Sequence, residues 1–419
     1  MGQSVAIVGS GMAGLASAYL LQKAGCHVTV YEAQSSRGMD AHTLDVEQAQ
    51  GSGWVDVPLR VMSPEAWGSV IDLAAEVGVG TFGVDTFVSC MGLDQKTWFR
   101  STRLGIGGLP WVGSWRYLHS KTARIALGLW RLSQAIQKLE KTPDTREDLA
   151  TFARKEGFDP LFWRGLVLPL LQTICTCKEE HLQAWPAREL MALFRKIVYG
   201  EQLLRLTGGT RALVKGLSTD LNFVSGSPVQ TVRPIEGGIE LRNARGEGGI
   251  YDRVVIATQA NQLSFLDAAI YSREHAALAD IRYDTGELVV HSDTRFMPRH
   301  EKDWSALNYM LDPDLAQSMF TVWVNAVEPS LAPDRPIFQT WNPIMPIEES
   351  KVLSRVPLQR AVVHPGTARA LATLKAMHEE KDRRLFFAGS WAYPGVPLLE
   401  SAVRSAYAVN SSITGSLNC

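Results

Sequence analysis

The sequence predicts an α/β protein organised around a parallel sheet, with mixed α+β material inserted between its strands. Three observations predict it. Val5-Ala6-Ile7-Val8 is a short apolar, β-branched run, suited to a strand buried on both faces. Gly9-Ser10-Gly11-Met12-Ala13-Gly14 follows at once, and Leu15 to Lys23 then has helical composition, stopped at Gly25. Val28-Thr29-Val30-Tyr31 reads as a second strand closed by Glu32.

Each part of this opening has a physical task. Gly9 permits the tight turn, and Gly11 lets the backbone approach a pyrophosphate that a Cβ would obstruct. Gly14 lets the helix pack close to the strand. The helix N-terminus at Met12 and Ala13 then offers free N–H groups and the positive end of its dipole to phosphates. Glu32, followed by Ala33, stands where a carboxylate accepts both ribose hydroxyls, and an acid there disfavours a 2′-phosphate. A GxGxxG alone is a weak signal. Here the strand before it, the helix after it and the acid at the right spacing make a dinucleotide-binding, Rossmann-like unit the preferred reading over an unrelated glycine-rich turn.

The whole chain narrows the function. Its 419 residues are 46% hydrophobic and 20% charged, enough for two or three domains' worth of core. A net charge of −1 gives no global basic field for nucleic acid. The five cysteines do not make a disulfide framework, and Cys175-x-Cys177 lacks the second pair a zinc site needs, so no metal is expected. The first residues read as a strand and no apolar run is long enough to span a bilayer, so a reducing, cytoplasmic setting is expected.

The segment Ser35-Ser36-Arg37-Gly38-Met39-Asp40-Ala41-His42-Thr43 bears on which dinucleotide is held. With the glycine turn before it, it resembles the flavin-dependent amine oxidase and phytoene desaturase superfamily. More narrowly, it resembles a bacterial branch of NAD/FAD-binding proteins whose pattern is close to L-G-G-H-x-H-T-x-D-V. Gly38, His42, Thr43, Asp45 and Val46 match that pattern, whereas Met39 stands where a glycine is usual and Asp40 where a histidine is usual. The likeness continues in Leu206 to Leu213, in Tyr251 to Thr258, in Arg384 to Ser390 and in Glu400 to Ala406.

The resemblance implies an amine oxidase-like fold with FAD as cofactor and the nicotinamide-only reading as the minor one. It implies a discontinuous FAD-binding domain over 1–60, 206–260 and 380–419, and a mixed α+β substrate domain over 61–205 (mostly helical) and 261–379 (with a sheet). The cofactor-binding set is Gly9, Gly11, Met12, Ala13, Gly14, Glu32, Ala33, Arg37, Gly38, Val229, Gly389, Ser390, Glu400, Ser401 and Ala402. Gly237-Gly238 and Gly246 to Gly249 read as hairpin turns.

Five side chains are candidates for the chemistry. His42 follows the cofactor loop and is either a proton carrier, a phosphate contact or a structural histidine. Arg60, in Asp56-Val57-Pro58-Leu59-Arg60, could stabilise a flavin anion, bind a carboxylate substrate or form a surface ion pair. Trp391 and Tyr393 lie where amine oxidases wall the substrate site, with core packing as the plain alternative. His291 and Asp293 share one face of a strand, either as a proton-moving pair or as an outer-face pair. Glu287 falls, by approximate register, where amine oxidases place a lysine near flavin N5, which puts ordinary amine oxidation in doubt. Twelve tryptophans, among them Trp163, Trp185, Trp304, Trp323 and Trp341, suit a large core and an apolar pocket. The expected activity is an FAD-dependent oxidoreductase that oxidises or desaturates an apolar small molecule by hydride transfer to N5, with oxygen or another acceptor. Peroxide-forming amine oxidation, a non-redox flavoprotein such as an isomerase or cyclase, and a binding protein without cofactor function stay open.

Overall fold

The structure, a computed structural model, describes residues 2–48, 51–103, 110–112, 115–142, 147–332 and 334–415. Its first layer is a five-stranded sheet in the spatial order Asn222–Ser225, His27–Glu32, Ser4–Val8, Arg253–Ile256, Leu385–Phe387. All neighbours in it are parallel. Parallel strands need crossover connections, and a parallel sheet must be covered on both faces. One face carries the first helix, Met12–Lys23, and the last, Leu399–Gly415, through Leu15, Ala16, Val403, Val409 and Ile413. The other carries a three-stranded antiparallel sheet (Val229–Ile235, Gly238–Asn243, Gly248–Tyr251) and the helix Thr367–His378, through Val232, Leu241, Ala370 and Leu374. Val5, Ala6 and Ile7 are wholly buried between these layers, as their apolar run requires. The hairpins turn at Gly237 and Gly246, both at positive φ.

The second layer is an eight-stranded mixed sheet in the order Val352–Val362, Arg282–His291, Phe338–Trp341, Ser318–Trp323, Leu307–Leu311, Val88–Gly92, Thr97–Arg103, Pro110–Val112. The sequence pattern predicts strands at Glu287–His291, Phe320–Val324 and Phe338–Trp341; the first and third lie in this sheet, and the second does too but ends at Trp323. Helices at Ser120–Lys141, Leu149–Glu156 and Ala187–Val198, with the helical run 160–175, pack on one face through Ile136, Phe152, Phe162, Trp185 and Phe194. The stretch 61–205 is less helical than its pattern suggests. Thr81–Val84 pairs with Leu203–Leu206, and Val88–Gly92 pairs in parallel with Leu307–Leu311. Each of these pairings joins segments more than a hundred residues apart, which no local periodicity reports, while Val88–Gly92 also pairs with the neighbouring Thr97–Arg103. Among the described residues, no helix is long and apolar enough to cross a membrane.

Candidate active site

The glycine turn is shaped by three steric facts. Gly9 lies at φ +98°, and a Cβ there would sit 3.0 Å from the Ala257 carbonyl oxygen. A Cβ on Gly14 would fall 2.0 Å from the Gly9 carbonyl oxygen, so only glycine lets the helix start this close to the strand. A Cβ on Gly11 would meet nothing within 4 Å. The turn is thus tight toward the protein and open on one side, at the helix N-terminus. Open backbone beside free helical N–H groups is a cradle for a pyrophosphate, and these residues fit a dinucleotide.

Glu32 ties this turn to the next loop. Its Oε2 accepts from the Ser10 N–H (2.9 Å) and from Ser10 Oγ (2.6 Å), while the Gly38 N–H donates to Ser10 Oγ (2.8 Å). Gly38 is at positive φ, and a Cβ there would meet the Ser10 carbonyl oxygen at 2.6 Å. The exposed Arg37 lies over the Phe223 ring at 4.0 Å. Ala33 is exposed, and Val229 is half-buried at the start of its strand. Met39, at the glycine position of the family pattern, sits in a short 3-10 helix, Gly38–His42, and faces a cavity.

That cavity, of about 400 Å³, runs from Gly11, Met12 and Ala13 past Gly389, Ser390 and Ala402 to an apolar wall on the second sheet. Leu288, Leu307, Phe320, Val322 and Trp341 form the wall. Arg60 and Trp391 also line it. Trp391 is nearly buried, its Nε1 donates to the Thr258 carbonyl (3.0 Å), and it packs where a Gly389 Cβ would be. Arg60 donates from Nη1 to the Pro58 carbonyl at 3.2 Å.

The other candidates are placed elsewhere. Tyr393 is not on the cavity and lies beside Arg404. His42 is exposed beside the cofactor loop; surrounding protein and the Arg60 charge lower its pKa. Glu400 turns away to the backbone N–H groups of Ser69 and Val70 and to Arg404 Nε, so it serves the start of the helix Gly68–Glu76. Ser401 Oγ donates to the Val396 carbonyl. Glu287 pairs with Arg355 on the side of its strand opposite the cavity-lining Leu288.

His291 is fully buried among Phe296 and Phe338, on the sheet face turned from the cavity. Its Nε2 meets Thr340 Oγ1 at 2.8 Å, and its Nδ1 accepts from the Asp293 N–H at 3.1 Å. The Asp293 carboxylate goes to Arg295, so the two side chains do not form a proton-moving pair. Burial pushes the imidazole down to about 4, and its neutral form is the folded one. The unfolded chain therefore binds the extra proton. His291 supports stability fully above about pH 6.5, and that support falls by about 1.4 kcal/mol per pH unit as pH drops toward about 4. Urea midpoints at about pH 7.5 and about pH 5 measure this, and His291→Gln is expected to flatten the dependence. A wild-type midpoint that does not fall with pH would rule it out.

Three residues that the sequence reading passed over shape the cavity. Gln339 donates from Nε2 to the Asp56 carbonyl (2.6 Å) and accepts the Leu59 N–H at Oε1 (2.8 Å), clamping the segment that carries Arg60. Arg205 is buried between Asp56 and Glu328. Arg360 lines the cavity from the strand Val352–Val362. A signal for Arg360 was present: it keeps the two-residue phase of Val356 and Leu358, an arginine on an apolar strand face.

The fold and this cavity define a dinucleotide-binding α/β protein whose second sheet covers the place where the glycine turn opens. Comparison with known proteins agrees. Residues 7–77 match the family model of an NAD(P)-binding Rossmann-like domain. Among solved structures, putrescine oxidase bound to putrescine is 14% identical over 99% of both chains, with a TM-score of 0.64. Cyclohexylamine oxidase from Brevibacterium oxydans is 15% identical over 100% of both, with a TM-score of 0.67. A CLA-producing fatty acid isomerase from P. acnes is 14% identical over 97% of both, with a TM-score of 0.64. None of the curated proteins compared with the chain matches it by sequence. The chain shares its fold with these two amine oxidases and the isomerase, and the α/β class is the one its opening motif predicts.

Proposed function

We propose that this protein is an FAD-dependent oxidoreductase that oxidises or desaturates a mainly apolar small molecule by hydride transfer to flavin N5, with oxygen or another acceptor closing the cycle. The observation that carries the reading is one continuous cavity, open at the glycine turn and ending on Leu288, Phe320 and Trp341. On this reading residues 1–60, 206–260 and 380–419 hold the cofactor, residues 61–205 and 261–379 build the substrate side, and the protein works in the cytoplasm.

FAD, when bound, supplies the electron acceptor. The chain's own residues do the rest. Gly11, Met12 and Ala13 receive the pyrophosphate with backbone N–H groups. Glu32 holds the turn through Ser10 and stands ready for the ribose. The apolar wall excludes water and orients a carbon chain. Among the described residues that line the cavity, the ionisable side chains are Arg60 and Arg360. Two guanidiniums repel an ammonium group, which favours a substrate without a charged amine. The isomerase reading keeps the same cavity and differs only in whether electrons leave it.

The visible absorption spectrum before and after acid denaturation tests the proposal. Flavin bands released into the supernatant are the expected result. A yellow pellet would point to a covalent bond, at His42 or a cysteine. A colourless protein that FAD does not reconstitute overturns the proposal. Bleaching by substrate without electrons reaching any acceptor would favour the isomerase reading.

A further inference from the structure

We propose that Arg60 and Arg360 form an anion-binding pair at the substrate end of the cavity, and that the site takes an apolar carboxylic acid. Its carboxylate lies between the two guanidiniums and its chain lies on Leu288, Phe320 and Trp341. The inference rests on reading the cavity as the substrate site.

Two arginines elsewhere in the protein, the buried Arg205 and the half-buried Arg383, show why the half-buried Arg60 and Arg360 stand out. Arg205 meets Asp56 and Glu328, and Arg383 meets Glu274. Arg60 and Arg360 line the cavity with no ion pair to any described residue. Among the described residues, Arg60 has a single hydrogen bond, to the Pro58 carbonyl. Arg360 Nε is buried and without a hydrogen-bond partner. The nearest acids are committed elsewhere. Asp56 is held by Arg205 and by the Thr210 N–H and Oγ1. Asp284, cross-strand from Arg360, accepts from the Lys178 and Thr285 N–H groups. Burial and the Arg60 charge together push Arg360 down to about 10.

Setting two like charges together away from bulk water is costly unless a counter-charge joins them. A carboxylate is the fitting partner: planar, anionic and able to accept paired N–H bonds from a guanidinium fork. The two arginines come from different segments, Arg60 from the stretch after the strand Gly51–Val55 and Arg360 from the strand Val352–Val362. Their convergence on one cavity is a property of the tertiary fold. The wall beyond them is aliphatic and aromatic, which suits a hydrocarbon chain and not a second polar group.

The test uses the protein as purified and three probes of equal chain length: octanoate, octanamide and octylamine. Tryptophan fluorescence reads binding, because Trp67, Trp341 and Trp391 line the cavity, so the readout does not depend on flavin. Octanoate is expected to bind about tenfold or more tighter than octanamide, the size of charge-assisted hydrogen bonds, and octylamine weakest. Arg360→Met, close in length to arginine, is expected to remove that preference while octanamide affinity and thermal midpoint stay unchanged. Should that variant fold poorly, Arg360→Lys keeps the charge without the fork and is expected to lose part of the preference. Equal binding of octanoate and octanamide overturns the proposal, as does an unchanged octanoate preference in the Arg360 variants. Loss of flavin with the octanoate preference intact also overturns it, since the arginine would then serve the cofactor. A colourless protein that still prefers octanoate would sink the oxidoreductase reading and leave the anion site standing.

Discussion

Gly11→Ala is expected to yield a protein as stable as the wild type that holds its dinucleotide about ten- to a hundredfold more weakly. The backbone at Gly11 is extended, with φ −61° and ψ −179°, which alanine adopts freely. Its new Cβ would meet no protein atom within 4 Å. The methyl group would instead fill the space beside the free N–H groups at the helix start, where a pyrophosphate must come closest. Crowding of this kind costs about 1–3 kcal/mol, which falls here on the ligand and not on the fold. Gly14→Ala is the contrasting case. Its Cβ would lie 2.0 Å from the Gly9 carbonyl oxygen, so the cost falls on the packing of helix against strand. Thermal midpoints and flavin-to-protein ratios of the two variants separate these effects. A Gly11→Ala protein that keeps full flavin would show that the turn does not face the phosphates.

Arg205→Met is expected to destabilise the fold by about 3–5 kcal/mol, a large share of a domain's total stability. Arg205 is 1% exposed. Its Nη1 donates to Glu328 Oε2 (2.6 Å) and to the Val327 carbonyl (2.9 Å), and its Nη2 to Asp56 Oδ2 (3.1 Å). Removing it strands two buried carboxylates, and that is the source of the loss. The damage reaches the cavity as well. Asp56 also holds the Thr210 N–H and Oγ1, and its carbonyl accepts from Gln339, whose other end fixes Leu59 beside Arg60. Urea unfolding measures the effect. Adding Asp56→Asn and Glu328→Gln to the variant is expected to restore part of the stability, because neutral amides need no counter-charge. A single-variant loss below about 1 kcal/mol would show that the cluster relaxes around the gap.

The order of the amino acids reveals what adjacent residues can enforce. The GxGxxG turn was readable because the positive φ at Gly9 and the close approach of Gly14 to the Gly9 carbonyl belong to the turn itself, although the Ala257 carbonyl that also crowds Gly9 comes from a distant strand. The buried strand Val5–Val8 and the hairpins at Gly237 and Gly246 were readable for the same reason: periodicity and backbone freedom are local properties. Arg360 was readable in principle from its phase with Val356 and Leu358, though phase alone does not say what the face looks onto.

The rest follows from long-range packing. Period two predicts His291 and Asp293 on one face of a strand, but the strand ends at His291, on the face turned from the cavity, and Asp293 turns to Arg295. Glu400 stands in a family-like motif, yet its carboxylate serves a neighbouring helix. Thr81–Val84 became a strand because Leu203–Leu206 was there to pair with it. Asp56, Arg205 and Glu328 met across long stretches of chain. In each case the outcome depends on which distant surface is buried against which. That choice is set by the burial of the whole chain and leaves no trace in the order of neighbouring residues.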